Sequence, residues 1–284
     1  MRSSVLFSRR EAIATLAGSA FFARATSAAG SGGAPFTYSG LEHLALAVPD
    51  TEKSVNFYTR VFGNTVMKEK TNPRHYVRAG ANYVAMAPPG RGEASPAINH
   101  FCPGIVNFDL AATKRTLDQM GITYREATGV GLFVPDPDGT LVQLWTENSW
   151  ARLGETAVPA DLPSQGEPLL RPTGIDHILV NVSNVERSAA FYEKILGPII
   201  NPASRPRRTW FSAGGSTRVG LALIESGQKP GIDHFCFTAP FDRAALTKAV
   251  ESAGAKIVKG DVEAGIDFLD VNGLHMQVLP PARS

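Results

Sequence analysis

The sequence predicts an α+β protein built from four βαβββ modules, grouped as two similar halves. Three observations carry that expectation. The chain repeats itself at a constant offset of 134 positions (43 to 177), which marks a duplication. Within each half, one strand, one helix and three short strands follow each other twice. Between the halves, residues 151–172 are rich in Pro and Gly and show no apolar periodicity.

The repeat is legible residue by residue. Gly40-Leu41-Glu42-His43 matches Gly174-Ile175-Asp176-His177, and Phe57-Tyr58 with Gly63 matches Phe191-Tyr192 with Gly197. Ile98-Asn99-His100-Phe101-Cys102 matches Ile232-Asp233-His234-Phe235-Cys236. Asp136, Gly139 and Gln143 match Asp270, Gly273 and Gln277.

The elements follow in order. Leu41 to Val48 alternates as a strand, with His43 sharing a face with the small Ala45 and Ala47. Leu44, Leu46 and Val48 fall on the opposite face, under a helix. Residues 51–62 place Val55, Tyr58 and Phe62 at helical spacing, and Gly63 stops them. Short strands are expected near 64–69, 74–79 and 82–87. The order then repeats: strand 98–105, helix 109–120, and strands near 122–126, 131–134 and 140–147. Asp136-Pro137-Asp138-Gly139 is the turn between the last two. The domains are therefore expected at 40–149 and 173–280, with a linker at 150–172.

Composition narrows the function classes. A hydrophobic share of 43% against 19% charged residues suits a packed core. A formal net charge of +2 without a Lys/Arg run gives no footprint for nucleic acid. Residues 1–30 stand apart: Arg9-Arg10 follow Ser8, an apolar run extends from Ile13 to Ala23, and Ala23-Arg24-Ala25 offers an A-x-A cleavage site. This resembles a twin-arginine export signal; the alternative is an ordinary secretory signal that contains two arginines. The expectation is a periplasmic or extracellular mature protein with no stable membrane anchor. Cys102 and Cys236 fall at matched positions in apolar strands, and read as two separate buried thiols rather than one bridge.

Four modules with His in their opening strands, an Asp-Pro-Asp-Gly turn, and a polar residue four beyond its glycine resemble the vicinal oxygen chelate superfamily. That group includes glyoxalases, bleomycin-resistance proteins, methylmalonyl-CoA epimerases and extradiol dioxygenases. The resemblance covers about residues 40–149 and 173–280, and implies two open barrels, each with a metal on its concave face. Carried over by position, the ligands are His43, His100 and Gln143 in the first half and His177, His234 and Gln277 in the second. The group's usual last-strand ligand is Glu, so the two glutamines are a departure: an amide oxygen binds a metal without neutralising it. Imidazole and amide oxygen suit a divalent ion such as iron, manganese, zinc or nickel. Strands 82–87 and 218–224 offer no fourth ligand.

Other candidates stand on less. Arg74 and Arg208 share the 134-residue offset and could hold an acidic substrate, although a strand-end surface arginine is the plainer reading. Cys102 and Cys236 sit two residues after a ligand histidine and could line the pocket, with simple burial as the alternative. Glu147 shares a face with Gln143 and could act as a base, but Pro281 stands at the matched position. His75 and His275 have no matched partners and read as surface or turn residues. Two functions compete: a metal-dependent lyase, isomerase or ring-opening dioxygenase acting on a small molecule with two adjacent oxygens, and a metal-free protein that binds or sequesters one.

Overall fold

The computed structural model describes residues 33–200, 208–260 and 262–281. The export-signal reading of residues 1–30 lies outside them. No helix among the described residues is long and apolar enough to cross a membrane.

The first half runs β1 (Tyr38–Ala47), α1 (Thr51–Phe62), β2 (Val66–Glu69), β3 (His75–Ala79), β4 (Asn82–Ala87), β5 (Ala97–Ile105), α2 (Leu110–Gln119), β6 (Arg125–Ala127), β7 (Gly131–Pro135) and β8 (Leu141–Thr146). A short α3 (Ser149–Leu153) and β9 (Ala157–Pro159) follow. The second half runs β10 (Gly174–Val182), α4 (Val185–Leu196), β11 (Arg208–Ser212), β12 (Arg218–Leu223), β13 (Gly231–Thr238), α5 (Arg243–Ser252), β14 (Lys256–Val258), β15 (Ile266–Leu269) and β16 (His275–Leu279). In the third module, an isolated bridge joins Ile199 to Phe211 of β11.

Each module helix starts where the sequence supplies a side-chain acceptor. Asp50, Asp109, Asn184 and Asp242 each take the backbone N–H three residues on, an N-cap worth about 1 kcal/mol. The strands close into two curled sheets. The first has the order β6-β7-β8-β5-β1-β4-β3-β2-β9, and the second β11-β12-β10-β13-β16-β15-β14. The opening strands of paired modules, β1 with β5 and β10 with β13, run antiparallel at the centre of each sheet. The expected α+β architecture of four modules in two open barrels is what forms.

Residues 150–172, expected as a bare linker, carry structure of their own. β9 pairs with β2 and extends the first sheet, while Leu153, Ala157 and Leu170 are buried. Without apolar periodicity these short pieces left no sequence pattern; they are held by the surface they cover.

One apolar cluster runs through both halves, from Leu44, Leu46 and Tyr58 to Ile178, Phe211 and Phe237. Fully burying each such side chain contributes about 1.5–3 kcal/mol. The repeat motif turns out to join the halves. The Tyr58 hydroxyl donates to Asp270 at 2.9 Å, and the Tyr192 hydroxyl donates to Asp136 at 3.3 Å. Each turn aspartate is thus held by a helix tyrosine of the other half. Backbone contacts match as well: Leu41 N–H donates to Thr217 Oγ1 and Ile175 N–H to Asn82 Oδ1, both at 2.9 Å. Gly80 and Gly214 occupy the left-handed region (φ 66° and 93°). A Cβ there would stand 2.2 Å from the Pro172 carbonyl oxygen and 2.1 Å from that of Tyr38, so close approach requires glycine at both.

Candidate functional site

In a regular strand, neighbouring side chains point to opposite faces. The strands that carry the four matched histidines break that rule immediately before each one. Between β1 and β5, Leu41 pairs with Pro103 and His43 with Cys102, so Glu42 is an extra residue; Asn99 is extra on β5. Asp176 and Asp233 are extra at the same places in β10 and β13. A bulge re-aims side chains, and here it brings each histidine's predecessor round to its own ring.

The contacts are the same four times. His43 Nδ1 meets Glu42 Oε2 at 2.7 Å, and His100 Nδ1 meets Asn99 Oδ1 at 2.8 Å. His177 Nδ1 meets Asp176 Oδ1 at 2.6 Å, and His234 Nδ1 meets Asp233 Oδ2 at 2.7 Å. These oxygens accept, so Nδ1 carries the hydrogen in each ring and Nε2 is the end directed inward. An imidazole whose Nδ1–H is fixed by a carboxylate or carbonyl is the usual form of a metal ligand.

The Nε2 atoms converge. In the second half, His177 Nε2 and His234 Nε2 lie 3.2 Å apart. Two nitrogens each about 2.0–2.1 Å from one metal are separated by about 2.9–3.4 Å at right-angled to tetrahedral geometry. Two facing lone pairs at this distance favour a cation between them. Gln277 is fully buried on the adjoining β16, and its amide nitrogen donates to Asp267 at 3.1 Å and 3.3 Å. The carboxylate holds the nitrogen, so the amide oxygen is the end turned the other way. In the first half, Gln143 Nε2 donates to the Val130 carbonyl at 2.6 Å, which directs Oε1 to His43 Nε2 at 2.9 Å. The His43 and His100 rings stand edge to face, 5.8 Å between centroids. The donor set therefore fits a divalent ion in both halves.

Electrostatics support neutral ligands. Burial, reinforced by His43 and Arg74, holds His100 well below the ordinary histidine value. Burial also lowers His177, against the pull of Asp176. Asp176 resists the upward push of burial through hydrogen bonds from His177 and Arg218, and stays below the usual carboxylate range. Asp233 is held down in the same way by His234 and His275.

The first-half triad lines a cavity of about 210 Å³. Tyr76, Tyr83, Phe133 and Trp145 form its aromatic walls, with Arg74 and Arg125 on it as well. Tyr83 stacks on His43 at 4.5 Å and 12°. Its hydroxyl lies 2.8 Å from Ser149 Oγ, which donates to Glu42. Ser149 opens α3, at the last position of the expected first domain, and through Glu42 helps to fix a ligand histidine.

Several expectations need revision or placing. His275, expected as a surface or turn residue, opens β16 and is three-quarters buried, with its ring 4.8 Å from that of His234 and its Nε2 2.8 Å from Asp267. Burial disfavours its charge, but Asp233 and Asp267 outweigh that and push it up to about 9. Its position on β16, two residues before Gln277, already placed it on the ligand face. His75 is half-buried, its Nδ1 3.1 Å from the Pro73 carbonyl. Glu147 lies beyond the end of β8, with its backbone N–H on the Ile105 carbonyl, and does not line the cavity; Glu42 is the carboxylate at the triad. Cys102 and Cys236 are free, buried thiols, as separate burial predicts. Neither Cys102 nor its neighbour Pro103 lines the cavity. Arg208 is half-buried at the start of β11.

Two other clusters bring possible ligand atoms within 4.8 Å of one another: Asp176, His177 and Cys236, and Asp233, His234 and His275. Both lie on the Nδ1 side of a ring, where the carboxylates already hold hydrogens. Burial, with Asp176 and Asp267 nearby, pushes the Cys236 thiol well up, so it stays protonated. These clusters orient the ligands.

Comparison with known proteins agrees with the geometry. The chain is 27% identical over 124 residues to a glutathione transferase FosA of Serratia marcescens, covering 40% of this chain and 84% of that protein. It is 24% identical over 253 residues to a catechol-2,3-dioxygenase of Bacillus subtilis, covering 76% and 88%. Among solved structures, the 2,3-dioxygenase LapB from Pseudomonas sp. KL28 superposes with a TM-score of 0.63 at 16% identity, covering 87% of this chain and 94% of that one. An Mn(II)-bound glyoxalase from Novosphingobium aromaticivorans gives 0.62 at 14% identity, covering 87% and 84%. A sequence profile of the Glyoxalase/Bleomycin resistance protein/Dioxygenase superfamily matches residues 40–144 and 174–270, and the chain belongs to that superfamily.

Proposed function

We propose that the protein is a metal-dependent enzyme of this superfamily, acting on a small molecule with two adjacent oxygens admitted to the first-half cavity. One observation carries the reading: all four histidines are held at Nδ1, leaving Nε2 for a ligand, and in each half a buried glutamine beside them has its amide nitrogen tied down. His43, His100 and Gln143 would hold one divalent ion, and His177, His234 and Gln277 another. Bound there, such an ion supplies Lewis acidity, stabilising charge that builds on the two oxygens.

The chain's own residues do the remaining work. Glu42 and Asn99 fix the first-half rings, Ser149 holds Glu42, and the aromatic walls exclude water and favour a flat substrate. The volume lies below the roughly 300–1,000 Å³ typical of sites for drug-sized ligands, so the substrate is small. Ring-opening with oxygen is supported by the dioxygenases among the relatives. Lyase or isomerase chemistry is supported by the neutral glutamine, since ferrous oxygen chemistry commonly uses two histidines and a carboxylate.

A second reading, binding without turnover, is favoured by the aromatic walls of the first-half cavity, which would hold a flat ligand by stacking with no ion. Elemental analysis of the purified protein, paired with oxygen uptake and product analysis over a catechol panel, separates the two. The enzyme reading expects bound metal and turnover that is lost in His43→Ala and His100→Ala. A folded, metal-free protein that binds diols unchanged would leave the sequestering reading.

Residues 1–30 are proposed to direct export. Fractionation of cells that express Arg9→Lys/Arg10→Lys should show the precursor retained in the cytoplasm; unaltered export would remove the twin-arginine assignment.

A further inference from the structure

We propose that the first-half cavity selects a small planar carboxylate, with the acid group held by Arg74 and Arg125 and the flat body against the aromatic walls. The inference rests on this cavity being the ligand site of the proposed function, and specifies the charge of its ligand. Arg74 stands just before β3 and Arg125 opens β6, so two strands on opposite sides of the sheet centre deliver one guanidinium each to the same cavity. Among the described residues, neither is in an ion pair. The guanidinium of Arg125 lies 4.9 Å over the Phe133 ring, which fixes its plane and leaves its N–H edges for an acceptor. The single acidic residue lining the cavity, Glu93, has its carboxylate on the backbone N–H of Gly90 at 2.8 Å. Planar guanidinium groups match a carboxylate in paired hydrogen bonds, and two of them on one small cavity match one anion.

The test is calorimetric titration of the full-length protein at neutral pH with 3,4-dihydroxybenzoate and with catechol. Wild type is compared with Arg74→Gln, Arg125→Gln, the double variant, and Arg115→Gln on the exposed face of α2, with circular dichroism confirming the fold. The acid should bind about tenfold or more tighter than catechol, as charge-assisted hydrogen bonds allow. Each single variant should narrow that preference, the double variant should abolish it, and Arg115→Gln should retain it. Equal affinity for the two probes, a preference that survives in the double variant, or no binding of the acid by folded wild type would overturn the inference. Turnover measured on the same samples keeps the two readings apart. Acid that binds without reacting upholds the anion site and counts against the enzyme; catechol turned over with no preference for the acid does the reverse.

Discussion

Removing one phenolic oxygen at Tyr58 tests how the repeat motif joins the halves. Tyr58 and its partner Asp270 are 0% and 4% exposed, so water does not replace a lost bond. Asp270 Oδ1 keeps the backbone N–H groups of Asn272 and Leu274 at 2.8 Å and 2.9 Å. After Tyr58→Phe, Oδ2 retains only the Asn272 amide at 3.5 Å. Losing a donor to a buried charged acceptor costs about 1.5–3 kcal/mol. The matched bond from Tyr192 to Asp136 is longer, 3.3 Å against 2.9 Å, and lies beyond the usual O–H···O range. Tyr192→Phe should therefore cost only about 0.5–1.5 kcal/mol. At roughly 2–4 °C per kcal/mol for a chain of this size, Tm should fall by about 3–12 °C and 1–6 °C respectively. Urea unfolding followed by near- and far-ultraviolet circular dichroism gives both free energies, with the two probes coincident because one core spans the halves. Tyr192→Phe as costly as Tyr58→Phe, or neither variant differing from wild type, would refute the reasoning.

Three further outcomes follow from the same contacts. Asp233→Ala removes the acceptor of His234 Nδ1, and chelator competition should show second-half metal affinity reduced about 10–100-fold; unchanged affinity would deny Asp233 its orienting role. Burial favours the neutral form of Asp138, but hydrogen bonds from Ser183 and the charge of Arg187 outweigh it and lower its pKa. Its stabilisation is therefore present above the unfolded carboxylate value of about 3.9 and is lost as pH falls through the lower folded value. Asp138→Asn should weaken the native protein at pH 7 and reduce its loss of stability below pH 4; a parallel pH profile would contradict this. Burial also raises both thiols, so Cys102 and Cys236 should resist a thiol reagent until urea unfolds the chain. Rapid labelling of the native protein would contradict their placement.

Much of this molecule was legible because duplication wrote its essential residues twice. The offset from His43 to His177 exposed the modules, and the alternation of His43 with Ala45 and Ala47 gave the concave face. The role of Glu42, Asn99, Asp176 and Asp233 was hidden by the same alternation. A residue next to a strand histidine belongs on the other face unless a bulge intervenes, and bulges depend on sheet pairing rather than local pattern. An oxygen-bearing side chain before all four histidines was nonetheless a signal. Asp267 and His275 escaped because the repeat places Phe133 and Leu141 at their positions, so duplication gave no second instance. Tyr58 and Asp136 were visible as motif residues, but their partners lie in the opposite half, where no local spacing points.

Anomalous diffraction from crystals soaked in Mn(II) tests the ligand geometry most directly. Metal peaks should lie about 2.0–2.3 Å from Nε2 of His177 and His234, with the Gln277 amide oxygen completing the set. Matching density should stand between His43, His100 and Gln143. Peaks on the Nδ1 side of the rings, between Asp176 and Cys236 or between Asp233 and His275, would contradict the account, as would density at neither triad.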